Sequence, residues 1–167
     1  MYDYWISKQA GGRIPSRKNL DPADIPRLLS NIGLLDVLEN DDFKYRLIGT
    51  SMVAFFGQDF TNTHVSQSKT GKYGSTLEEL YKTARDEKVA VYSVSKFIYE
   101  ARHPVLMYRL ILPLSADGVD VDMLLFSTIP EIPAHLLNNS FQVIDASSDF
   151  VESNRVLDAR KEYPKHC

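Results

Sequence analysis

Few side chains in this sequence have the type and spacing that catalysis or metal binding requires. The four histidines show no metal-ligand spacing, and the single cysteine, Cys167, is the last residue. One cysteine excludes an intramolecular disulfide and a thiolate cluster, and it favours a reducing compartment. Asp36 alternates with Leu34 and Leu38 in an apolar run, so we expect it to point inward. It is the only candidate for acid–base chemistry in a small cavity enzyme.

Aromatic side chains are better candidates for function, as the walls of a ligand cavity. A tyrosine offers an apolar ring with a polar tip, and the segment "TSMVAFFGQ" places two adjacent phenylalanines just after a predicted strand. A histidine follows in the next loop, where a surface position is the simpler interpretation. The candidates are Tyr45, Phe55, Phe56, His64, Tyr92 and Tyr108, and their role as ligand contacts is what the family resemblance given below implies.

The composition is that of one globular domain with a sizeable core. The chain has 167 residues, 19.0 kDa and 44% hydrophobic residues. Its net charge of −3 and pI of about 5.8 give no electrostatic reason to bind nucleic acid or an anionic membrane. No apolar run approaches the roughly 18–20 residues of a membrane span. We therefore expect a cytoplasmic protein with neither nucleic acid nor membrane as a partner.

Capping residues predict the helices. A short helix in "YDYWISKQ" precedes Gly11 and Gly12, and a second is expected over Pro22–Ser30, with Asp21 as its N-cap. "TSMVAFFGQ" predicts a short helix that stops at Gly57. A longer helix should start at a cap on Ser75 or Thr76 in "GSTLEELYKTARDEKV". Its apolar face would comprise Leu77, Leu80, Tyr81 and Ala84.

Five alternating segments predict antiparallel strands. "NIGLLDVLEN" and "DFKYRLIG" form a hairpin, in which Phe43, Tyr45 and Leu47 share one face. The segments "VAVYSVSKFIYEA", "PVLMYRLILPLS" and "VDVDMLLFSTI" follow, with turns expected at 102–104 and 116–118. The fold class is thus α+β, a five-stranded antiparallel sheet with helices on one face.

Both faces of the fourth strand are apolar, so something should cover each of them. Leu106, Tyr108, Leu110, Leu112 and Leu114 share one face. The other face carries Val105, Met107, Arg109 and Ile111. The cover could be the N-terminal aromatic segment or a second subunit. We expect a homodimer, with intramolecular packing alone as the alternative, and the predicted interface comprises Tyr4, Trp5, Val105, Met107 and Arg109.

The element order resembles that of PAS domains, which are small sensor and interaction modules. The motifs "GGRIPSR…DP", "YRLIGT" and "LPLSADG" resemble those of a PAS-like family of short stand-alone alphaproteobacterial proteins, over roughly residues 4–130. This divides the chain into an N-terminal helical segment (1–30), a PAS-like core (31–130) and a C-terminal extension (131–167). One departure is Thr61-Asn62-Thr63, where such domains have threonine-glycine-arginine. Asn62 can still turn the chain.

The resemblance implies a non-enzymatic sensor or adaptor in bacterial signalling. It would bind a small molecule, a protein partner or both, and would act on a signalling protein in trans. Haem is disfavoured, because His64 shows no second-shell partner in the sequence. Flavin adduct chemistry is excluded, because no cysteine lies near Val65. A small organic ligand is left open, as are two alternatives, the cavity enzyme and a purely structural dimerisation domain.

Overall fold

The computed structural model of the chain describes residues 1–67, 71–99, 103–131 and 157–158. These residues form an antiparallel sheet in the order β2-β1-β5-β4-β3-β6. The strands are β1 (Ile32–Val37), β2 (Phe43–Ile48), β3 (Val91–Tyr99), β4 (His103–Leu114), β5 (Met123–Glu131) and β6 (Leu157–Asp158). The helices are α1 (Tyr2–Ser7), α2 (Thr50–Phe56) and α3 (Gly71–Asp86). The predicted α+β class and its five antiparallel strands are confirmed.

The helix predicted over Pro22–Ser30 is wrong as a single α-helix. The chain instead forms two 3₁₀ segments, Pro22–Asp24 and Pro26–Asn31, which follow a shorter one at 17–19. A proline restricts the residue before it, and Ile25 adopts a non-helical backbone with φ −130° and ψ 43°. The predicted cap is confirmed, because the Asp21 carboxylate accepts a backbone N–H in the first turn.

The structure confirms the predicted end of α2 but not the predicted start of α3. Gly57 ends α2 in the left-handed conformation at φ 69°, as predicted. Helix α3 already includes Gly71, so Ser75 and Thr76 lie inside it and neither is its N-cap. Asn62 has φ 69°, which confirms that it can turn the loop in place of glycine.

Two turns were expected from the sequence, one before β4 and one after it, and the structure confirms only the second in full. The turn expected at 102–104 is wrong in part: His103 and Pro104 already pair with β3, while residue 102 lies outside the described residues. The turn at 116–118 is confirmed, with Gly118 at φ 81°. There the Asp117 carboxylate accepts hydrogen bonds from the Val119 and Asp120 N–H groups and the Ser115 hydroxyl, which lower the pKa of Asp117 to about 2.

The sheet separates two apolar clusters, one on each face. The inner face, under α3 and the segment after β2, holds Leu35, Phe43, Tyr45, Met52, Val65, Leu77, Leu80, Tyr81, Ala84, Val91, Ile111, Val121, Leu124 and Phe126. The outer face meets the N-terminal segment and holds Tyr2, Trp5, Leu20, Ile32, Leu34, Ala90, Tyr92, Leu110, Leu112, Leu114 and Leu125. The apolar face predicted for α3 is confirmed, because all four of its residues belong to the inner cluster.

A β-bulge interrupts the alternation predicted for β2. Tyr45 pairs with Leu35 and Leu47 with Leu34, so Arg46 is an extra residue between two consecutive pairs. Leu47 is consequently 43% exposed, whereas Phe43 and Tyr45 are buried. The prediction that Leu47 shares their face is wrong.

Most of the C-terminal extension lies outside the described residues. Its described part, β6, pairs with Val91 and Tyr92 of β3, and it adds a sixth strand that sequence patterns did not predict. The domain boundaries near residues 30 and 130 stay predictions.

Candidate functional site

A cavity of about 90 Å³ lies between the inner sheet face and the segment that contains α2 and α3. Its volume is several times the roughly 10–15 Å³ that one water molecule needs. Strands β2, β4 and β5 form its floor, and α2, α3 and the loop between them form its roof. The lining residues are Tyr45, Ile48, Met52, Phe56, Phe60, Val65, Gly74, Leu77, Tyr81, Arg109, Phe126 and Thr128.

Aromatic rings form most of the cavity wall. The Tyr45 ring lies 6.0 Å from Phe60 and 6.2 Å from Phe126, and Phe60 lies 6.2 Å from Phe56. Tyr81 closes the set, with its ring 6.1 Å from Phe126. These centroid distances are typical of edge-to-face and tilted aromatic pairs. The short helix after β2 thus brings Phe56 over the sheet to complete an aromatic wall.

Polar groups interrupt this apolar lining on the sheet side. Arg109 and Thr128 pair across β4 and β5, and they are 2% and 4% exposed. Arg109 also donates a long hydrogen bond of 3.5 Å to the Ser93 hydroxyl on β3. Among the lining residues that the structure describes, Arg109 is the single Asp, Glu, Lys, Arg or His. The cavity therefore combines an apolar body with one cationic end.

Asp42 stabilises the loop that brings Val65 into the cavity wall. Its carboxylate accepts hydrogen bonds from the Ser66 hydroxyl at 2.6 Å and from the Phe43 N–H at 2.8 Å, and it lies 3.0 Å from His64 Nδ1. Partial burial raises the pKa of Asp42, but the hydrogen bonds outweigh it, and the net pKa lies below its usual value. The Val65 N–H also donates to the carbonyl of Phe43.

The β1–β2 hairpin is held to α3 by an ion cluster at the surface. The Asp41 carboxylate lies 2.9 Å from Lys82 Nζ and 2.6 Å from Arg85 Nη1. Hydrogen bonds from Lys82 and Arg85 lower the pKa of Asp41. The Arg85 guanidinium also lies 5.4 Å from the centroid of the Phe43 ring. This cluster fixes α3 against the hairpin that supplies Tyr45 to the cavity.

The outer sheet face is covered in part by α1. The Trp5 indole N–H donates to the carbonyl of Pro113 at 2.9 Å, and its ring stacks on Tyr2 at 6.1 Å. Beyond this cover lies a shallow groove of about 420 Å³. Its walls include Tyr92, Tyr108 and Ile129, of which Ile129 is 39% exposed.

The six predicted ligand contacts fall in different places. Tyr45 and Phe56 line the cavity. Phe55 packs its ring 5.1 Å from Phe56 without lining the cavity. His64 lies outside the lining, in a loop against Asp42, and its role as a ligand contact stays a prediction. The last two, Tyr92 and Tyr108, border the outer groove on the opposite side of the sheet.

The predicted dimer residues are mostly buried within one chain. Strand parity places Val105, Met107 and Arg109 on the inner face, where they are 1%, 0% and 2% exposed. Trp5 is 4% exposed because it covers its own sheet. Tyr4 alone of the five is more than slightly exposed. The intramolecular alternative describes the packing of Trp5 correctly.

Asp36 does not point into the cavity, and that expectation is wrong. Its carboxylate lies 3.3 Å from Arg46 Nη1, on the strand face opposite Leu35. In the part of the chain that the structure describes, no three His, Cys, Asp or Glu residues are grouped to hold a metal.

Sequence patterns miss most of the cavity wall. They do not identify Arg109, Phe126 and Thr128, because the parity of β4 and β5 is ambiguous when both faces are apolar. Alternation along β3 gives one limited constraint: Tyr92 and Ser93 are adjacent in the strand, so they cannot face the same cavity.

The profile of the PAS domain family matches residues 1–126. This match covers more than half of the chain, so the chain belongs to the PAS domain family, and the predicted resemblance is confirmed. The family is one of signalling sensor modules. No curated protein matches the chain. None of the described helices combines the length and the apolar composition needed to cross a bilayer.

Proposed function

We propose that this PAS domain is a non-enzymatic, cytoplasmic sensor or adaptor that binds a small molecule between its helices and its sheet. Membership of the PAS family supports a role in signalling. In this proposal the bound state changes the affinity of the domain for a signalling protein, on which it acts in trans. Neither nucleic acid nor a membrane is part of this proposal.

The observation that carries the proposal is the cavity of about 90 Å³ with its aromatic wall. Protein cores are close-packed, and a void of this size costs stability unless something fills it. Ligand sites are typically apolar cavities with a few polar groups that fix orientation. Tyr45 and Phe56, both predicted from the sequence, supply part of the wall, and Arg109 and Thr128 supply polar groups.

A cavity-filling variant tests the proposal for a ligand of any identity. Leu77 lines the cavity from α3, and Leu77→Phe would occupy part of its volume. A thermal-shift screen of small molecules should yield compounds that raise the Tm of the wild type and leave that of Leu77→Phe unchanged. The control is Val119→Phe, at a 57% exposed position in the β4–β5 turn, which should respond like the wild type. Compounds that stabilise all three proteins equally would contradict binding in this cavity.

The cavity enzyme is less well supported. Asp36, its one candidate catalytic residue, is paired with Arg46 outside the cavity. The described lining offers no carboxylate or imidazole to act as a general base. We therefore propose binding without turnover.

A homodimer stays a prediction, but it needs a surface other than the buried residues of β4. We propose as that surface the groove of the outer face that the described residues Tyr108 and Ile129 border. Sedimentation velocity of the full chain across micromolar dilutions tests this. Ile129→Asp should shift a dimer towards monomer, whereas Val119→Asp should not. Monomer at every concentration would contradict the homodimer.

A further inference from the structure

Thr128 brings a polar side chain to the wall of the inner cavity. It lies on β5, on the same face as Phe126, and it is 4% exposed. In the part of the chain that the structure describes, its hydroxyl makes no hydrogen bond. Polar groups in a protein interior usually have a partner, because leaving one unpaired costs stability. The Thr128 hydroxyl therefore points to a partner inside the cavity.

The charge on the cavity wall is already engaged within the chain. Arg109 is the one charged residue of the described lining. It donates to the Ser93 hydroxyl and makes a further interaction in the chain. An ion in the cavity would thus bring a charge without a free counter-charge, and an unpaired charge is costly to bury. The ligand that suits this cavity is uncharged.

The volume limits the size of this ligand. An apolar cavity of about 150 Å³ holds benzene, with its six carbon atoms. By the same ratio, a cavity of about 90 Å³ holds about three non-hydrogen atoms. Ethanol, cyclopropane and formate all have this size. They differ in charge and in hydrogen bonding, so together they separate the properties that the wall selects.

We propose that the cavity binds a short uncharged molecule with one hydroxyl or carbonyl oxygen, such as a short-chain alcohol, with that oxygen at Thr128 and its apolar part against the aromatic wall. This inference rests on the function proposed above and specifies the ligand class of the same site. The threonine hydroxyl both donates and accepts, so it pairs with either type of oxygen. Phe56 and Phe60, with ring centroids 6.2 Å apart, offer dispersion contacts to the hydrocarbon part.

The test compares these three molecules on the same protein. Ethanol, cyclopropane and formate are titrated into the full chain at pH 7, with binding followed by two-dimensional NMR of the backbone amides. Ethanol should give saturable shifts with a Kd of about 1–100 mM, because ligands of so few atoms bind weakly even at best. Formate should bind at least about tenfold more weakly, because its charge finds no free counter-charge. Leu77→Phe should abolish the ethanol shifts, and Val119→Phe should retain them.

Variants assign the hydrogen bond to Thr128. Thr128→Val keeps the side-chain shape and removes the hydroxyl, and it should weaken ethanol binding about three- to tenfold without weakening cyclopropane binding. Thr128→Ser keeps the hydroxyl and should bind ethanol within about twofold of the wild type. The matched control is Ser127→Ala, at the neighbouring position that borders the outer groove, and it should change neither Kd. Each variant has to retain the amide spectrum of the folded protein.

A second measurement needs no variant. At saturating ethanol, intermolecular NOEs should connect the ethanol protons with side-chain protons of Thr128 and Phe126, because both residues line the cavity. NOEs to residues outside the cavity wall, with none to these two, would overturn the proposed position of the alcohol.

The outcomes separate this inference from the broader proposal. An ethanol Kd that Thr128→Val leaves unchanged would overturn the role of the hydroxyl and leave a small-molecule cavity intact. Formate that binds as tightly as ethanol would overturn the uncharged class. Failure of ethanol to bind, together with a screening hit that Leu77→Phe abolishes, would overturn the inference and retain the cavity. Ethanol binding that Leu77→Phe leaves equally strong would place the alcohol elsewhere and also overturn the inference.

Discussion

The two faces of the sheet are made by the same strands, yet they are packed differently. On the outer face, Leu110, Leu112 and Leu125 meet the N-terminal segment, and Trp5 packs against its own sheet. On the inner face, Arg109 and Thr128 border a cavity of about 90 Å³ beneath the helices. Both faces are apolar, so the hydrophobic content of a sheet face does not by itself show which face borders a cavity. What distinguishes the inner face among the described residues is the buried Arg109, which strand parity places there.

The largest effect is expected where α1 closes the outer face. Trp5→Ala should lower the free energy of unfolding by about 3–5 kcal/mol, because it removes a buried indole and the hydrogen bond to Pro113. Chemical denaturation measures this change. Ile6→Ala is the control in the same helix, at a 39% exposed position, and it should cost less than about 1 kcal/mol. A loss for Trp5→Ala no greater than that of Ile6→Ala would show that α1 does not close this face.

The existence of most elements could be predicted from the sequence, because each pattern reports local physics. Asp21 caps the first turn after it, Gly57 stops α2, and alternation marks the strands. The helix expected over Pro22–Ser30 failed because the restriction that Pro26 imposes on Ile25 outweighed the cap at its start.

The second largest loss of stability is expected from a substitution at Gly33, where β1 lies close to β2 and β5. A Cβ added at Gly33 would clash with the Phe126 ring and would lie 2.9 Å from the Leu47 carbonyl oxygen. Gly33→Ala should therefore cost about 1–3 kcal/mol in unfolding free energy, as overpacking does. In a double-mutant cycle, Phe126→Leu should recover part of that loss by making room for the new methyl group. Strictly additive losses would mean that Gly33 does not constrain the Phe126 ring.

A smaller effect is expected where Asp42 holds the loop that carries Val65. Asp42→Asn should lower the unfolding free energy by about 1–2 kcal/mol at pH 7, since hydrogen bonds to a carboxylate weaken when the charge is removed. The folded-state pKa of Asp42 is lowered, so its contribution is complete above the ordinary pKa near 4 and is lost as the pH falls through the folded-state value.

Denaturation curves of the wild type and Asp42→Asn, measured from about pH 7 to about pH 2.5, test this dependence. As the pH falls below about 4, the difference between the two proteins should shrink towards zero. Ile6→Ala removes no titratable group, so as a control its difference from the wild type should stay the same across this range. A difference between the wild type and Asp42→Asn that grows as the pH falls below about 4 would contradict the lowered pKa of Asp42.

The faces of β4 could not be predicted, because both of them are apolar. From the sequence, Arg109 is predicted to lie in a dimer interface, whereas in the structure it is 2% exposed within a single chain. Its burial depends on Ser93 and Thr128, which only strand pairing brings alongside it. The bulge at Arg46 likewise depends on the register between β1 and β2. Both features depend on contacts between strands, so the local periodicity of the sequence does not predict them.

The most direct measurement compares one enlarging substitution on each face. Leu77 lines the inner cavity, and Leu112 is fully buried in the outer cluster. By chemical denaturation, Leu77→Phe should cost less than about 1 kcal/mol, because the cavity can take the larger ring. Leu112→Phe should cost about 1–3 kcal/mol, because a closely packed face has to distort to admit it. Equal losses on the two faces would contradict the account, since they would mean that the inner face is packed as tightly as the outer one.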